Sequence, residues 1–174
     1  MAKKVRPVPK GYHTITPSLC IQGADAFVKF CKKAFGAKEL MRMKGPGGTV
    51  MHSELEIGES RIMVGDENPQ WGFKSAKTLG GTPLTLHIYV PDCDAVVAKA
   101  IKAGATPRMP LADMFWGDRY GTVEDPFGNV WGIGTHIEDV SPGDMKKRSA
   151  KMAKEMAAAA KAAVKAAAAA PASA

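Results

Sequence analysis

The sequence predicts an α+β fold made of two copies of a βαβββ unit, and an internal repeat is the main reason. Asp25-Ala26-Phe27-Val28 leads to Gly36-Ala37, and further along the chain Asp94-Ala95-Val96-Val97 leads to Gly104-Ala105. Each copy is typical of a short amphipathic helix that ends at Gly, with β-like runs before and after it. Neither half has enough apolar surface to stand alone, so we expect one unit with a cleft between the halves.

Length and composition agree with this architecture. The 174 residues, 45% of them hydrophobic, fit one domain of about 130 residues with tails. No apolar run reaches the roughly 18 residues of a membrane span, and no leader precedes the first strand, so we expect a cytoplasmic protein without a membrane segment. Cys20, Cys31 and Cys93 show no CxxC spacing. They predict neither a disulfide framework nor an activated thiolate.

The net charge of +7 belongs to the tails. Residues 1–10 carry +4 and residues 141–174 carry +5, which leaves −2 for residues 11–140. The globular part therefore gives no electrostatic reason to expect a nucleic-acid partner. A contact between the C-terminal tail and phosphate groups would be weak and salt-sensitive, and it stays the least favoured of three functional hypotheses.

The first half is expected over about residues 12–66, after an extended basic arm at residues 1–11. We predict a strand over 14–21, a helix over 24–35, two strands around a Gly45-Pro46-Gly47-Gly48 turn, and a last strand over 61–64. The strand over 50–57 alternates strictly. Its two faces carry Met51, Ser53, Leu55 and Ile57 on one side, and His52, Glu54 and Glu56 on the other.

The second half is expected over about residues 83–138, after a long connection that either acts as a lid or only links the halves. We predict a strand over 84–90, a helix over 92–103, a strand over 106–111, a loop over 112–121 and a closing hairpin of 122–124 with 130–134. The domain ends near residue 140. Residues 141–174 form a C-terminal helix, begun by Ser141-Pro142, and an Ala/Lys-rich tail that frays or is disordered from Ala157.

Three segments resemble a known superfamily. These are Tyr12-His13-Thr14-Ile15-Thr16-Pro17, Phe30 to Ala37, and above all the run from Met114 to Asn129, with its Trp-Gly-Asp-Arg-Tyr-Gly loop and Asp-Pro-Phe-Gly-Asn hairpin. They are similar to the vicinal oxygen chelate superfamily of glyoxalases, bleomycin-resistance proteins and extradiol dioxygenases, within its PhnB-like branch. The resemblance implies paired βαβββ units curled around a cavity with helices outside, and a homodimer.

The resemblance also implies a divalent-metal site, with ligands on the first and last strands of each half. The corresponding positions are Thr16, Met63, Thr85 and Gly132. None is a usual ligand, so we predict neither this metal nor another cofactor.

Two histidines and a glutamate keep a displaced site open. His52, Glu54 and His87 could hold a metal ion or form an acid/base pair. The favoured alternative is that they are hydrogen-bonded residues that tune the polarity of the cavity.

The expected cavity has aromatic walls and a few polar groups. Trp116 and Tyr120 would line its mouth, and Trp131 would fill the space beside Gly132 or stack on a ligand. Arg119 would bind an anion or, as the favoured alternative, have a structural role, either paired with Asp118 or pinning the loop to the hairpin. The methionines around the first sheet, Met41, Met43, Met51 and Met63, are expected to fill the core. The full predicted cavity set is Thr16, His52, Glu54, Met63, Thr85, His87, Tyr89, Trp116, Arg119, Tyr120 and Trp131.

The sequence thus predicts a small-molecule protein, whose ligand is partly aromatic with one polar or anionic group. It favours equally an atypical enzyme of the lyase or isomerase kind and a protein that sequesters its ligand. A metal-dependent enzyme with displaced ligands is the alternative to both.

Overall fold

The computed structural model describes residues 5–169 and confirms the α+β fold. Eight strands and four α-helices follow one another along the chain. They are β1 (Ser18–Ile21), α1 (Ala24–Phe35), β2 (Lys38–Lys44), β3 (Val50–Ile57), β4 (Ser60–Asp66), α2 (Ala76–Leu79), β5 (Thr85–Tyr89), α3 (Cys93–Lys102), β6 (Thr106–Asp113), β7 (Asp118–Glu124), β8 (Val130–His136) and α4 (Pro142–Ala169).

The strands form two mixed four-stranded sheets with the same topology, ordered β1-β4-β3-β2 and β5-β8-β7-β6. In each sheet the first and last strands of the half pair in parallel, and the other pairs are antiparallel. The registers also correspond, because the pair of Ser18 with Met63 in the first sheet has its equivalent in the pair of His87 with Gly132 in the second. The sequence repeat is therefore a structural repeat.

At the start of each long helix of the repeat, backbone N–H groups donate to a polar side chain from the last strand of the same half. Asp66 Oδ1 accepts the backbone N–H groups of Gly23 and Ala24, at 3.2 and 2.8 Å. At the equivalent place in the second half, the Thr135 hydroxyl accepts the N–H of Cys93 at 2.9 Å. These bonds satisfy donors that a helix start leaves free and fix each helix to its sheet.

The two halves share one core. Helices α1 and α3 pack against each other, and the α1 residue Phe27 lies with its ring centroid 5.5 Å from Phe127 and 6.5 Å from Trp131 of the second half. Phe35 closes the same cluster, 4.4 Å from Trp131. Because α1 is buried against both halves, neither half buries its helix alone.

Some boundaries differ from the predicted ones. The first strand begins at Ser18 rather than at residue 14, and Ile15 is 84% exposed. The predicted loop over 112–121 is wrong at both ends. Strand β6 continues to Asp113, and β7 begins at Asp118, where antiparallel pairing to β8 begins opposite His136. Helix α1 matches its predicted bounds and ends at Gly36, whose φ of 65° suits glycine.

The methionines of the first sheet are not core residues, contrary to the sequence interpretation. Met41, Met43 and Met51 are between 41 and 59% exposed. Register shifts between Glu39 and Met41 and between Met43 and Lys44 break the simple alternation of these strands. Met41 and Met43 lie opposite Glu54 and His52 and share the open face of the first sheet, whereas Met51 alternates onto the other face.

The C-terminal helix α4 begins where it was predicted, with the Asp144 N–H donated to the Ser141 hydroxyl. Two hydrogen bonds from Arg148 to Glu138, of 2.7 and 2.6 Å, tie it to the domain. The helix continues to Ala169. The rest of the predicted frayed tail, and residues 1–4 of the predicted arm, lie outside the described residues. Within residues 5–169 no helix has the length and apolar character needed to cross a membrane.

Candidate functional site

A cavity of about 620 Å³ lies between the two halves. The segment before β1, the β3–β4 turn and strand β5 form its walls, while Phe35, Val96 and Trp131 form an apolar floor. Its polar groups come from both halves: His13, Thr16, Glu59, Arg61, His87 and Tyr89. The volume fits a small organic ligand.

An aromatic platform stands on the open face of the second sheet, and two of its rings, His87 and Tyr89, line this cavity. The rings of His87 and Tyr120 are stacked, with centroids 5.2 Å apart and planes 6° apart, and Tyr89 lies 4.6 Å from His87. Gly132 of β8 makes room for these rings, whereas Gly134 would tolerate a Cβ. A Cβ on Gly132 would stand 2.5 Å from the Tyr120 hydroxyl, and one on Gly134 would stand 3.5 Å from His87.

The fourth metal-ligand position implied by the resemblance is therefore occupied by an aromatic ring. Tyr120 lies where a side chain of residue 132 would project, and the equivalent positions Thr16, Met63 and Thr85 bring no usual ligand. Within residues 5–169, no three His, Cys, Asp or Glu side chains form a group that could hold a metal ion. The residues present do not fit the divalent site of the superfamily.

The buried carboxylate of Asp118 holds one edge of the platform. It accepts hydrogen bonds of 2.9 Å from the Tyr89 hydroxyl, 2.9 Å from the Trp116 indole and 2.8 Å from His136 Nδ1. Burial acts to raise the pKa of Asp118, but these donors together lower it. The same hydrogen bond to Asp118 raises the pKa of Tyr89, so the phenol stays protonated and keeps its orientation.

His136 lies between two carboxylates. Its Nδ1 faces Asp118 and its Nε2 lies 3.0 Å from Asp139. The hydrogen bonds to Asp118 and then to Asp139 raise the pKa of His136, because the charged ring donates to both. This ion pair joins the end of β8 to the segment that leads into α4.

Arg119 does not serve the cavity. Its guanidinium donates to Asp94 at 2.6 and 2.8 Å and to Asp113 at 3.0 Å, which joins α3 to the β6–β7 connection. The hydrogen bonds to Asp94 and to Asp113 raise the pKa of Arg119 further. The geometry supports the favoured structural role of Arg119, with Asp94 and Asp113 rather than Asp118 as its partners.

Trp131 lies in the core and not at the cavity mouth. It is 1% exposed, and its indole donates to Asp125 at 2.9 Å. One edge of the ring belongs to the cavity floor. The correct side could have been deduced, since neighbours in a strand point to opposite faces and Gly132 was already assigned to the open one.

The predicted residues of the first sheet lie apart from the platform. Together with the arm, Glu54 and Met63 line a neighbouring hollow of about 500 Å³, which shares His13 and Thr16 with the main cavity. His52 Nε2 lies 3.5 Å from Glu54 Oε1. Thr85 lies at the exposed start of β5, outside the lining of the main cavity. Of the predicted cavity set, Thr16, His87, Tyr89 and Trp131 line the cavity, and Trp116 and Tyr120 support it through the platform.

Sequence reasoning missed Arg61 and Tyr12. The Arg61 guanidinium lies 4.6 Å from the centre of the Tyr12 ring and donates to the Lys10 carbonyl at 3.2 Å, so it holds the arm against the first sheet. Gly11 permits this approach, because a Cβ there would meet the guanidinium at 2.5 Å. The pairing of β3 with β4 places Arg61 opposite Glu56, but Arg61 and Tyr12 are far apart in sequence and no local pattern joins them.

Comparison with known proteins places the chain in a family. Residues 12–133 match the Glyoxalase/Bleomycin resistance protein/Dioxygenase superfamily. The chain is 42% identical over 135 residues to the Mycobacterium tuberculosis protein Rv0887c, a match that covers 76% of this chain and 79% of the relative.

Solved structures agree. The crystal structure of the Arabidopsis thaliana At5g48480 product has a TM-score of 0.58 at 32% identity, over 70% of this chain and 98% of its own. TioX from Micromonospora sp. ML1 has a TM-score of 0.58 at 28% identity, over 72% of this chain and 99% of its own. A PhnB protein from Bacillus cereus shares the fold, with a TM-score of 0.57 over 71% of this chain and 99% of its own. Its sequence identity is 17%.

Proposed function

This chain belongs to the glyoxalase, bleomycin resistance protein and dioxygenase superfamily, and from that premise we propose that it binds a partly aromatic small molecule in the cleft between its halves. The ligand would lie against the ring platform without a metal ion. The observation that carries this proposal is the position of Tyr120 over Gly132, which replaces a ligand position of the superfamily by an aromatic surface stacked on His87.

Affinity would come from the apolar floor and the platform. Flat aromatic surfaces bury much area, and offset stacking adds about 0.5 to 1.5 kcal/mol per ring pair. The few polar groups of the cavity, among them Thr16 and Tyr89, would set the orientation of the ligand. Asp118 keeps the Tyr89 hydroxyl fixed for that purpose.

Sequestration is better supported than turnover. A general base of the His type normally has a carboxylate that orients it. Within the described residues, His87 contacts two aromatic rings and has no carboxylate partner, whereas the oriented histidine of the domain, His136, does not line the cavity. The ring pair therefore supports holding a ligand more directly than transferring a proton.

Calorimetric titration with 2-naphthoate tests this proposal. We expect one site, with binding weakened by about 1 to 2 kcal/mol in His87→Ala, because a stacked ring and a polar contact are lost. His52→Ala is the matched control, since that histidine does not line the cavity, and it should leave binding unchanged. Deletion of residues 157–174 should also have no effect. Equal weakening by both histidine variants would contradict the proposal.

We also propose that the protein is a homodimer. The open face of the first sheet exposes Met41 and Met43, an apolar surface that a second copy would cover. Analytical ultracentrifugation should show a dimer that Met43→Glu shifts towards monomer. A wild-type protein that stays monomeric at all concentrations would contradict this proposal.

A further inference from the structure

Arg61 lines the main cavity, and only some of the N–H groups of its guanidinium have hydrogen-bond partners. Its Nη1 donates to the Lys10 carbonyl at 3.2 Å. Its Nε is buried and, among the described residues, has no hydrogen-bond partner. The backbone of Gly11 covers this Nε, since a Cβ there would stand 3.1 Å from it. A ligand in the cavity would therefore meet the Nη groups of the guanidinium.

No carboxylate neutralises this cation. In the part of the chain that the structure describes, Arg42, Arg108, Arg119 and Arg148 all form ion pairs within 4 Å, and Arg61 forms none. Glu54 acts on it only at longer range. Glu56, the cross-strand neighbour of Arg61, lies 3.7 Å from the Lys38 ammonium and forms no ion pair with Arg61 among the described residues. Glu59 also lines the cavity but lies at the exposed β3–β4 turn.

The guanidinium is held in place from other directions. The Tyr12 ring lies 4.6 Å from it, and the backbone of Gly11 approaches so closely that a Cβ there could not fit. A cation fixed by an aromatic ring and by a backbone carbonyl loses little freedom when it binds an anion. As a cavity-lining arginine, Arg61 can donate hydrogen bonds from its Nη groups to a carboxylate or a phosphate.

We propose that the ligand of this cavity is an anion whose carboxylate or phosphate group binds Arg61, with its aromatic part against the His87 and Tyr120 platform. This inference rests on the proposed small-molecule site and names the chemical class of its ligand. It also gives the arm a role, because Lys10 and Tyr12 position the anchoring side chain.

Three matched probes test the inference: 2-naphthoate, 2-naphthyl phosphate and the neutral 2-naphthamide, each titrated calorimetrically at millimolar concentration. The wild-type protein should bind at least one anion about tenfold or more tighter than the amide, since a hydrogen bond to a charged group is lost with the amide. The relative affinities of the protein for the two anions distinguish a carboxylate ligand from a phosphate ligand.

Variants separate the anchor from general charge effects. Arg61→Met should abolish the preference for anions while leaving amide binding in place, and Arg61→Lys should retain part of it. Arg108→Met, which removes an exposed arginine paired with Glu124 outside the cavity, is the control and should keep the full preference. The wild-type comparison needs no variant to fold. Equal binding of amide and anions would overturn the inference and leave the proposed function standing, whereas no binding of any probe would overturn both.

Discussion

The hydroxyl of Tyr120 lies 2.5 Å from the point where a Cβ on Gly132 would stand, so the ring of one residue occupies the side-chain position of the other. Neighbouring strands bring them together, because β7 and β8 are antiparallel partners. The consequence is an aromatic surface in place of a potential ligand to a metal ion.

Substitution of Gly132 by Ala should displace the Tyr120 ring and separate it from His87. We expect the affinity for 2-naphthoate to fall by about two- to tenfold, the value of one lost stacking contact. Gly134→Ala is the matched control, because its Cβ would meet His87 at an ordinary 3.5 Å. Calorimetric titration of both variants decides the matter, and an equal loss in the two would argue against a role for the Tyr120 position.

Substitution of Trp131 by Phe should destabilise the fold. The change removes the indole hydrogen bond to Asp125 and leaves a smaller ring beside Phe27 and Phe35. We expect a loss of about 1 to 2 kcal/mol in the free energy of unfolding, measured with a chemical denaturant. Trp71→Phe, at a side chain that is 77% exposed, should change it by less than about 0.5 kcal/mol. A Trp131 variant as stable as the control would contradict the assignment of this indole to the core.

The ion pair of His136 with Asp118 and Asp139 should give stability a defined pH dependence. Because the folded-state pKa of His136 is raised, its contribution is complete below the ordinary histidine pKa of about 6.5 and is lost as the pH rises through the raised value. The lowered pKa of Asp118 has the opposite effect, since its contribution is present above about 3.9 and is lost as the pH falls through the folded-state value.

The Tm difference between wild type and His136→Gln should therefore be largest between about pH 4 and 6.5 and should shrink at alkaline pH. Thermal unfolding across this range measures it. His13→Gln, at a side chain in no ion pair among the described residues, should show no such trend. A difference that grows with alkaline pH would contradict the charged state assigned to His136.

Zinc, nickel and manganese should not bind tightly in a one-to-one complex. The four positions that the superfamily uses bring no usual ligand, and the His52 and Glu54 pair lies apart from the platform. Calorimetric titration of untagged protein with each ion measures this. Tight binding that His52→Ala or His87→Ala removes would revive a displaced metal site.

The repeat could be predicted from the sequence because it depends on local patterns. The apolar spacing of α1 and the glycine after it predicted the bounds of that helix. The start of strand β7 could not be predicted, since Asp118 and Gly121 lie in a run that is typical of a loop. These residues adopt strand conformation because they pair with β8. Tertiary pairing outweighs local propensity there.

The candidate site was predicted only in part. Alternation along β5 was enough to place His87 and Tyr89 on one face. The same reasoning could not assign Arg61, because its role depends on an arm that is distant in sequence and on a glycine that permits close approach. Nor could the sequence show that only His87 lines the main cavity. His52 and His87 lie on different sheets, and the relative position of these sheets depends on how α1 packs against α3.

A crystal structure of the protein soaked with 2-naphthoate tests the central claim most directly. The ring system should lie in the cavity against His87 and Tyr120, with the carboxylate within hydrogen-bond distance of Arg61. A naphthoate bound elsewhere, or one in the cavity with its carboxylate directed away from Arg61 and its rings away from the platform, would contradict the account.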